Sequence, residues 1–124
     1  MNAARHPRPK ELENARLEEI VERYTARFRD RTQDWEAFED AKIDGYKRAQ
    51  HRFIGAGGSG KHKDPNAIPS GNFTLSIMCV ESSQGNAPHT HEVGEIFFVL
   101  QGMLDVFVED EDGNRLTTRL GQWE

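Results

Sequence analysis

The chain has 124 residues and a mass of 14.1 kDa, enough for one domain and not for two. It is 35% hydrophobic and 30% charged, and no run approaches the roughly 18 apolar residues of a membrane span. The formal charge of −5 is unevenly spread: residues 1–54 carry 12 Lys+Arg against 11 Asp+Glu, whereas residues 55–124 carry 4 against 10. An acidic second half repels phosphate backbones, so nucleic acid is excluded as the main partner. The N-terminal stretch MNAARHPRPKELEN has basic residues with no apolar segment behind them, which argues against a secretory signal. The single cysteine, Cys79, rules out an internal disulfide and a Cys-based structural zinc site. Lying in the apolar run LSIMCV, it reads as a small buried hydrophobe. These features lead to the expectation of a cytoplasmic protein.

In chain order, residues 9–31 read as an amphipathic helix. Pro9 suits a first turn, and Leu17, Ile20, Val21, Tyr24 and Phe28 repeat on one helical face. A second helical piece is expected from about Asp34 to His51, with Trp35, Phe38, Ile43 and Tyr46 on its apolar side, although Gly45 weakens it. Residues 1–54 therefore read as an N-terminal helical arm. Residues 55–72, GAGGSGKHKDPNAIPSGN, read as a Gly/Pro-rich linker. This segment contains Gly55-x-Gly57-x-x-Gly60 and Gly55-x4-Gly60-Lys61, which match two phosphate-binding patterns by letter. Both patterns need a strand before and a helix after, so that the helix N-terminus faces the phosphate. Asp64-Pro65-Asn66-Ala67-Ile68-Pro69 cannot continue a helix, and His62 stands where a P-loop needs Ser or Thr, so the motifs are set aside.

From residue 73 the apolar period changes to two. Segments 73–80, 95–100, 103–109 and 115–120 are expected strands, and Glu109-Asp110-Glu111-Asp112-Gly113-Asn114 is expected to be a hairpin turn around Asp-Gly. Segment 96–100 is apolar at every position and reads as a strand covered on both faces. With the apolar stripe of the helical arm, it leads to the expectation of a homodimer.

His89, His91 and Glu95 share one parity, so on a continuous strand they would project from one face. Two imidazoles and one carboxylate so placed form a facial triad, the donor set of non-haem Fe(II) sites, with positions left open for water, substrate or oxygen. Phe97 and Val99 continue that face, and Pro88 restricts the entry to it. His6, His51 and His62 lie on the arm or in the linker and make poor ligands.

The pattern His-x-His-x3-Glu-x6-Gly, formed by His89, His91, Glu95 and Gly102, resembles the first motif of the cupin superfamily. The resemblance covers roughly residues 70–124. It implies a mainly β fold, a cupin-type antiparallel β-barrel or jelly roll that is partial in this chain, with the barrel at 73–124. It also implies one divalent metal ion on His89, His91 and Glu95, Fe(II) in first place and Mn, Ni, Zn or Cu as alternatives. The implied function is a metal-dependent, dioxygenase-like oxidoreductase acting on a small oxygen-rich or aromatic substrate. A metal-dependent isomerase, a non-enzymatic ligand-binding or sensory module, and a shortened cupin without a competent site are the alternatives. Two departures from the family pattern stand out. Three residues, not five, separate Gly85 from His89. The second cupin motif is represented only by Leu120-Gly121-Gln122-Trp123-Glu124. The resemblance therefore leads to the expectation that a fourth, histidine ligand and the closing strands come from outside residues 1–124.

Overall fold

The strand β1 (Arg48–Ile54) organises the first part of the fold, and it does so with polar side chains. Arg48, Gln50, His51 and Arg52 are all buried, together with Ala49. β1 pairs antiparallel with β2 (Leu75–Val80), running from Arg48 opposite Val80 to Ile54 opposite Leu75, with an irregularity between Arg52 and Ile54. The computed structural model describes residues 6–124; residues 1–5 of the expected arm lie outside the described residues. The chain forms two compact units, the first ending at Pro88 and the second running from His89 to Glu124.

Burying charge on β1 is tolerable only because each charge is matched. The Arg52 guanidinium donates through Nε to Asp64 Oδ2 at 2.7 Å, and through Nη1 to Asp34 Oδ2 at 2.8 Å and Gln50 Oε1 at 3.0 Å. Gln50 donates in turn to the Ala56 carbonyl and to Ser76 Oγ on β2, each at 3.0 Å. Lys61 reaches Asp34 at 2.7 Å. One network thus joins Asp34, β1, β2 and the 56–64 loop. Backbone bonds draw the Gly/Pro-rich segment onto the end of β1: Gly55 donates to the Ile68 carbonyl at 2.9 Å and Ile68 to the Phe53 carbonyl at 2.8 Å. Arg31 also donates to the Asn66 carbonyl. Segment 55–72 is therefore folded against the strand.

A second polar cluster lies at the start of β1. Arg48 Nη2 donates to Asp40 Oδ1 at 2.8 Å, and its guanidinium lies 4.4 Å from the centre of the Phe38 ring. Beyond β2, Gln84 Oε1 accepts from the Gly45 and Lys47 amides at 2.8 and 3.1 Å. The Gly85 amide donates to the Gly45 carbonyl at 2.9 Å.

The expected helix over 34–51 is corrected. Its residues form a 3-10 turn, Glu39–Lys42, and then β1, and Asp34 bridges to Gln50. The side chains β1 buries are polar, so the apolar residues at 35–46 carry a periodicity that does not describe the strand. The expected helix over 9–31 is found only as α1 (Leu17–Arg23), flanked by 3-10 turns at Lys10–Leu12 and Phe28–Asp30. Leu17 and Val21 stay 65% and 59% exposed, so the stripe gains little from burial, which supplies most helix stability in proteins. What survives is the stretch with the best local signals. Glu18 and Glu19 occupy its first turn and Arg23 its last, and Glu19 accepts from the Arg16 amide at 2.9 Å.

In the second unit, β3 (Leu104–Glu109) and β4 (Arg115–Leu120) form the expected hairpin, with Leu104 opposite Leu120 and Glu109 opposite Arg115. Asp110 closes the turn by accepting from the Asp112 and Asn114 amides, and Gly113 takes φ +81°. Asp105–Arg119 and Glu109–Arg115 are cross-strand ion pairs on one face. The expected strand at 95–100 is corrected: within it, Val99 alone is buried and engages backbone, donating to the Glu124 carbonyl and accepting from the Trp123 amide. Ile96 is 92% exposed, so the segment is not covered on both faces. Cys79 is likewise exposed on β2 and not a core residue. Among the described residues the architecture is mainly β, four antiparallel strands in two two-stranded sheets with one α-helix, and no closed barrel. No helix there is long and apolar enough to cross a membrane.

Two stability predictions follow from these contacts. Arg52→Ala takes the guanidinium from two carboxylates whose side chains are only 13% and 14% exposed, leaving Asp34 with Lys61 and Asp64 with the Asn66 amide, and should cost about 3 kcal/mol by urea unfolding at pH 7. Burial alone raises the Asp34 and Asp64 carboxyls. Hydrogen bonds from Lys61 and Arg52 to Asp34, and from Arg52 and the Asn66 amide to Asp64, outweigh it and hold both below the ordinary value of 3.8. Their stabilisation is therefore complete above that ordinary value and lost as pH falls through the lower folded values, so the cost of Arg52→Ala should shrink in the same acid window.

The second compares two glycines with positive φ. A Cβ on Gly55 (φ +62°) would lie 2.8 Å from Thr74 Cγ2, whereas one on Gly60 (φ +67°) meets nothing within 4 Å. Gly60→Ala should cost about 1–2 kcal/mol, the left-handed penalty alone, and Gly55→Ala measurably more in the same thermal unfolding assay.

Candidate metal centre

The segment after Pro88 brings its polar side chains together without forming a strand. Residues 89–95 are irregular and bend at Glu92 and Val93. The bend turns Glu95 back toward His91: Nε2 of His91 lies 2.9 Å from Oε2 of Glu95. The His89 and His91 rings stand 5.4 Å apart between centres at 41°. One ligand-type atom from each of His89, His91 and Glu95 lies within 4.8 Å of the others, and this is the one such group among the described residues. The residues that parity selects do converge, but through a bend and not through the one-faced strand that parity assumes. All three are exposed.

The orientation of His91 is set from behind. Its Nδ1 lies 2.9 Å from the Val93 carbonyl. A carbonyl only accepts, so Nδ1 carries the proton and Nε2 points at the carboxylate. With no metal, the contact to Glu95 needs a second proton on Nε2. Accordingly the Val93 hydrogen bond, and after it the bond and charge of Glu95, hold the His91 imidazolium above its ordinary pKa of 6.5. A metal ion would take the place of that Nε2 proton. An imidazole whose second nitrogen is tied to a backbone carbonyl is the usual support for a metal-ligating histidine.

The donor set fits a divalent ion on its chemistry, with two borderline nitrogens and one hard oxygen. The 2.9 Å between His91 and Glu95 is a hydrogen bond, which an ion between the two would replace. The sequence pointed to these three residues but not to the Val93 carbonyl, because a backbone acceptor has no letter of its own.

The other histidines lie elsewhere. His51 is buried on β1, its ring centre 4.7 Å from that of Phe28 at a tilt of 32°, with Nδ1 3.3 Å from the Ile77 carbonyl. His62 lines an open cavity of about 610 Å³ with Thr32, Arg52, Lys61, Lys63 and Asn66, none of them part of the His/Glu group. The glycine-rich segment follows a strand, as a phosphate loop does. It then forms only a 3-10 turn, Gly57–Ser59, with no helix behind it, and Lys61 is engaged by Asp34. Val99 is buried and Phe97 is 46% exposed, so the two do not form a common wall.

No family model, curated protein or solved structure matches the chain.

Glu95→Gln should lower the His91 pKa toward 6.5 without reaching it, since the Val93 bond remains. An NMR titration of the imidazole signals in metal-free protein reads this directly, and an unchanged midpoint would contradict the assigned pairing.

Proposed function

We propose that the chain is a cupin-like module that binds one divalent metal ion through His89, His91 and Glu95, and that it serves a metal-dependent, dioxygenase-like oxidation. The observation that carries the reading is the convergence of those three donors within 4.8 Å, with the Nδ1 of His91 held by the Val93 carbonyl. The two-histidine, one-carboxylate set favours Fe(II), and Mn, Ni, Zn and Cu share the same ligand chemistry. The antiparallel hairpin after the site and the mainly β architecture support a jelly-roll affiliation.

His89 and His91 would bind as neutral imidazoles, and Glu95 as a carboxylate that reduces the charge of the site. The Val93 carbonyl keeps the His91 proton on Nδ1, so Nε2 remains the donor. When bound, the ion supplies Lewis acidity and open positions for a small substrate with neighbouring oxygens, such as a catechol, an enediol or a 2-oxo acid.

One observation favours a second reading. All three ligands are exposed, whereas metal catalysis works best in a dry, shaped cavity. A non-enzymatic module that captures a small ligand fits that exposure.

Elemental analysis after Fe(II) loading should find close to one metal per chain. His91→Ala should lose most of it, because removing one of three protein ligands leaves an incomplete site. Equal metal in the variant would refute the triad. Oxygen uptake with catechol by the iron-loaded chain separates the enzyme from the binding module.

A further inference from the structure

The residues just before the metal ligands are held more firmly than their composition suggests. Gln84-Gly85-Asn86-Ala87-Pro88, the last part of the connection from β2 to His89, belongs to no strand or helix. A Gly- and Asn-containing connection of this kind is ordinarily a flexible tether. Here each end of it is fastened to the first unit. At its start, Gln84 Oε1 accepts from the Gly45 and Lys47 amides, and the Gly85 amide donates to the Gly45 carbonyl. At its end, the Ala87 amide donates to Asp40 Oδ2 at 3.3 Å. The other oxygen of the same carboxylate accepts from Arg48 at 2.8 Å, and Arg48 Nη1 lies 3.5 Å from the Gly85 carbonyl.

Asp40 is therefore divided between a charge and a chain. Oδ1 is fixed by a guanidinium that is itself 11% exposed, stacked on Phe38 and bonded to the Tyr46 carbonyl. Oδ2 is left to grip a backbone amide two residues before the first metal ligand. The amides that Gln84 occupies lie in the 45–47 stretch that leads into β1. Arg48, at the start of that strand, thus anchors both the Asp40 carboxylate and the approach to His89.

We propose that Asp40, held by Arg48, is a positioning residue for the metal centre, and that it sets where the chain enters the His89–Glu95 segment by clamping the Ala87 amide. This inference rests on the metal reading above. Before metal arrives, the clamp removes conformations that the ligand segment would otherwise explore, so less order remains to be imposed on binding. The one residue between Ala87 and His89 is Pro88, whose fixed φ transmits the constraint along the chain. By linkage, metal binding should in turn tighten the Ala87–Asp40 bond.

The test is titration of the full chain with Co(II), reading both the dissociation constant and the visible absorption of the bound ion. Asp40→Ala should weaken Co(II) binding by about tenfold and shift its absorption bands, the size expected when support around a ligand is removed. Asp40→Asn keeps one oxygen for two donors, Arg48 and the Ala87 amide, and should recover only part of the affinity. Ala87→Pro removes the clamped N–H while sparing the Asp40–Arg48 pair; it should behave like Asp40→Ala, and it decides the matter if Asp40→Ala does not fold. Gly60→Ala lowers stability away from the clamp and should leave both readings unchanged, which separates positioning from general destabilisation. A folded Asp40→Ala or Ala87→Pro variant with wild-type affinity and spectrum overturns the proposal while the metal site stands. A wild-type chain that takes up no Co(II) overturns the metal reading, and the clamp's role with it.

Discussion

The first unit depends on one buried cation. Arg52 projects from β1 with its charge almost out of water, and the fold around it reads as an answer to that cost. Asp34 comes from the irregular segment before the strand and Asp64 from the glycine-rich loop after it. Gln50 spends its amide on Ala56 and Ser76 and its oxygen on the same guanidinium. No side-chain polar atom buried among the described residues lacks a partner. A network satisfied to this degree favours one arrangement, because displacing any member strands a buried donor or acceptor. The buried apolar residues of this unit are alanines, Ala37, Ala41, Ala49 and Ala56, which let backbones and polar side chains approach closely but contribute little transfer energy themselves.

The second unit is organised differently. Val99 is its one buried residue, and its regular structure is a single two-stranded hairpin, a form that is marginal in water without further cover. Val108 and Leu116 face each other across the hairpin and both remain exposed. In such a unit a metal ion would contribute more than chemistry. Three ligands drawn together at 89–95 would add free energy to the folded state directly, since the same three are not gathered in the unfolded chain. Metal binding would on that account be coupled to order in this segment, whose bend is already held by the hydrogen bond of His91 to the Val93 carbonyl.

Legibility in the sequence followed where the apolar residues sit. β2, β3, β4 and the turn at 109–114 could be read because alternating β-branched residues and an Asp-Gly pair report local geometry. β1 could not, since its buried positions are Arg, Gln, His and Arg, which apolar periodicity counts as surface. The helix over 9–31 is shorter than its stripe for the opposite reason: the stripe is present, but Leu17 and Val21 bury little, and periodicity carries no information on whether a partner exists. Segment 95–100 fails similarly, as β-propensity without a ladder partner leaves only Val99 in backbone–backbone hydrogen bonds. At the site, residue type and spacing identified His89, His91 and Glu95. The bend that brings them together and the Val93 carbonyl behind His91 are backbone features that spacing does not encode. The grip of Asp40 on Ala87 spans 47 positions and has no local signature at all.

On the proposed function, these three side chains bind one metal ion together. X-ray absorption at the iron edge of the Fe(II)-loaded full chain tests it most directly, because imidazole rings produce a multiple-scattering pattern that water and carboxylate do not. The expected result is a mononuclear centre with scattering from two imidazoles and the remaining donors oxygen. Iron surrounded by oxygen alone, with no imidazole contribution, would contradict it.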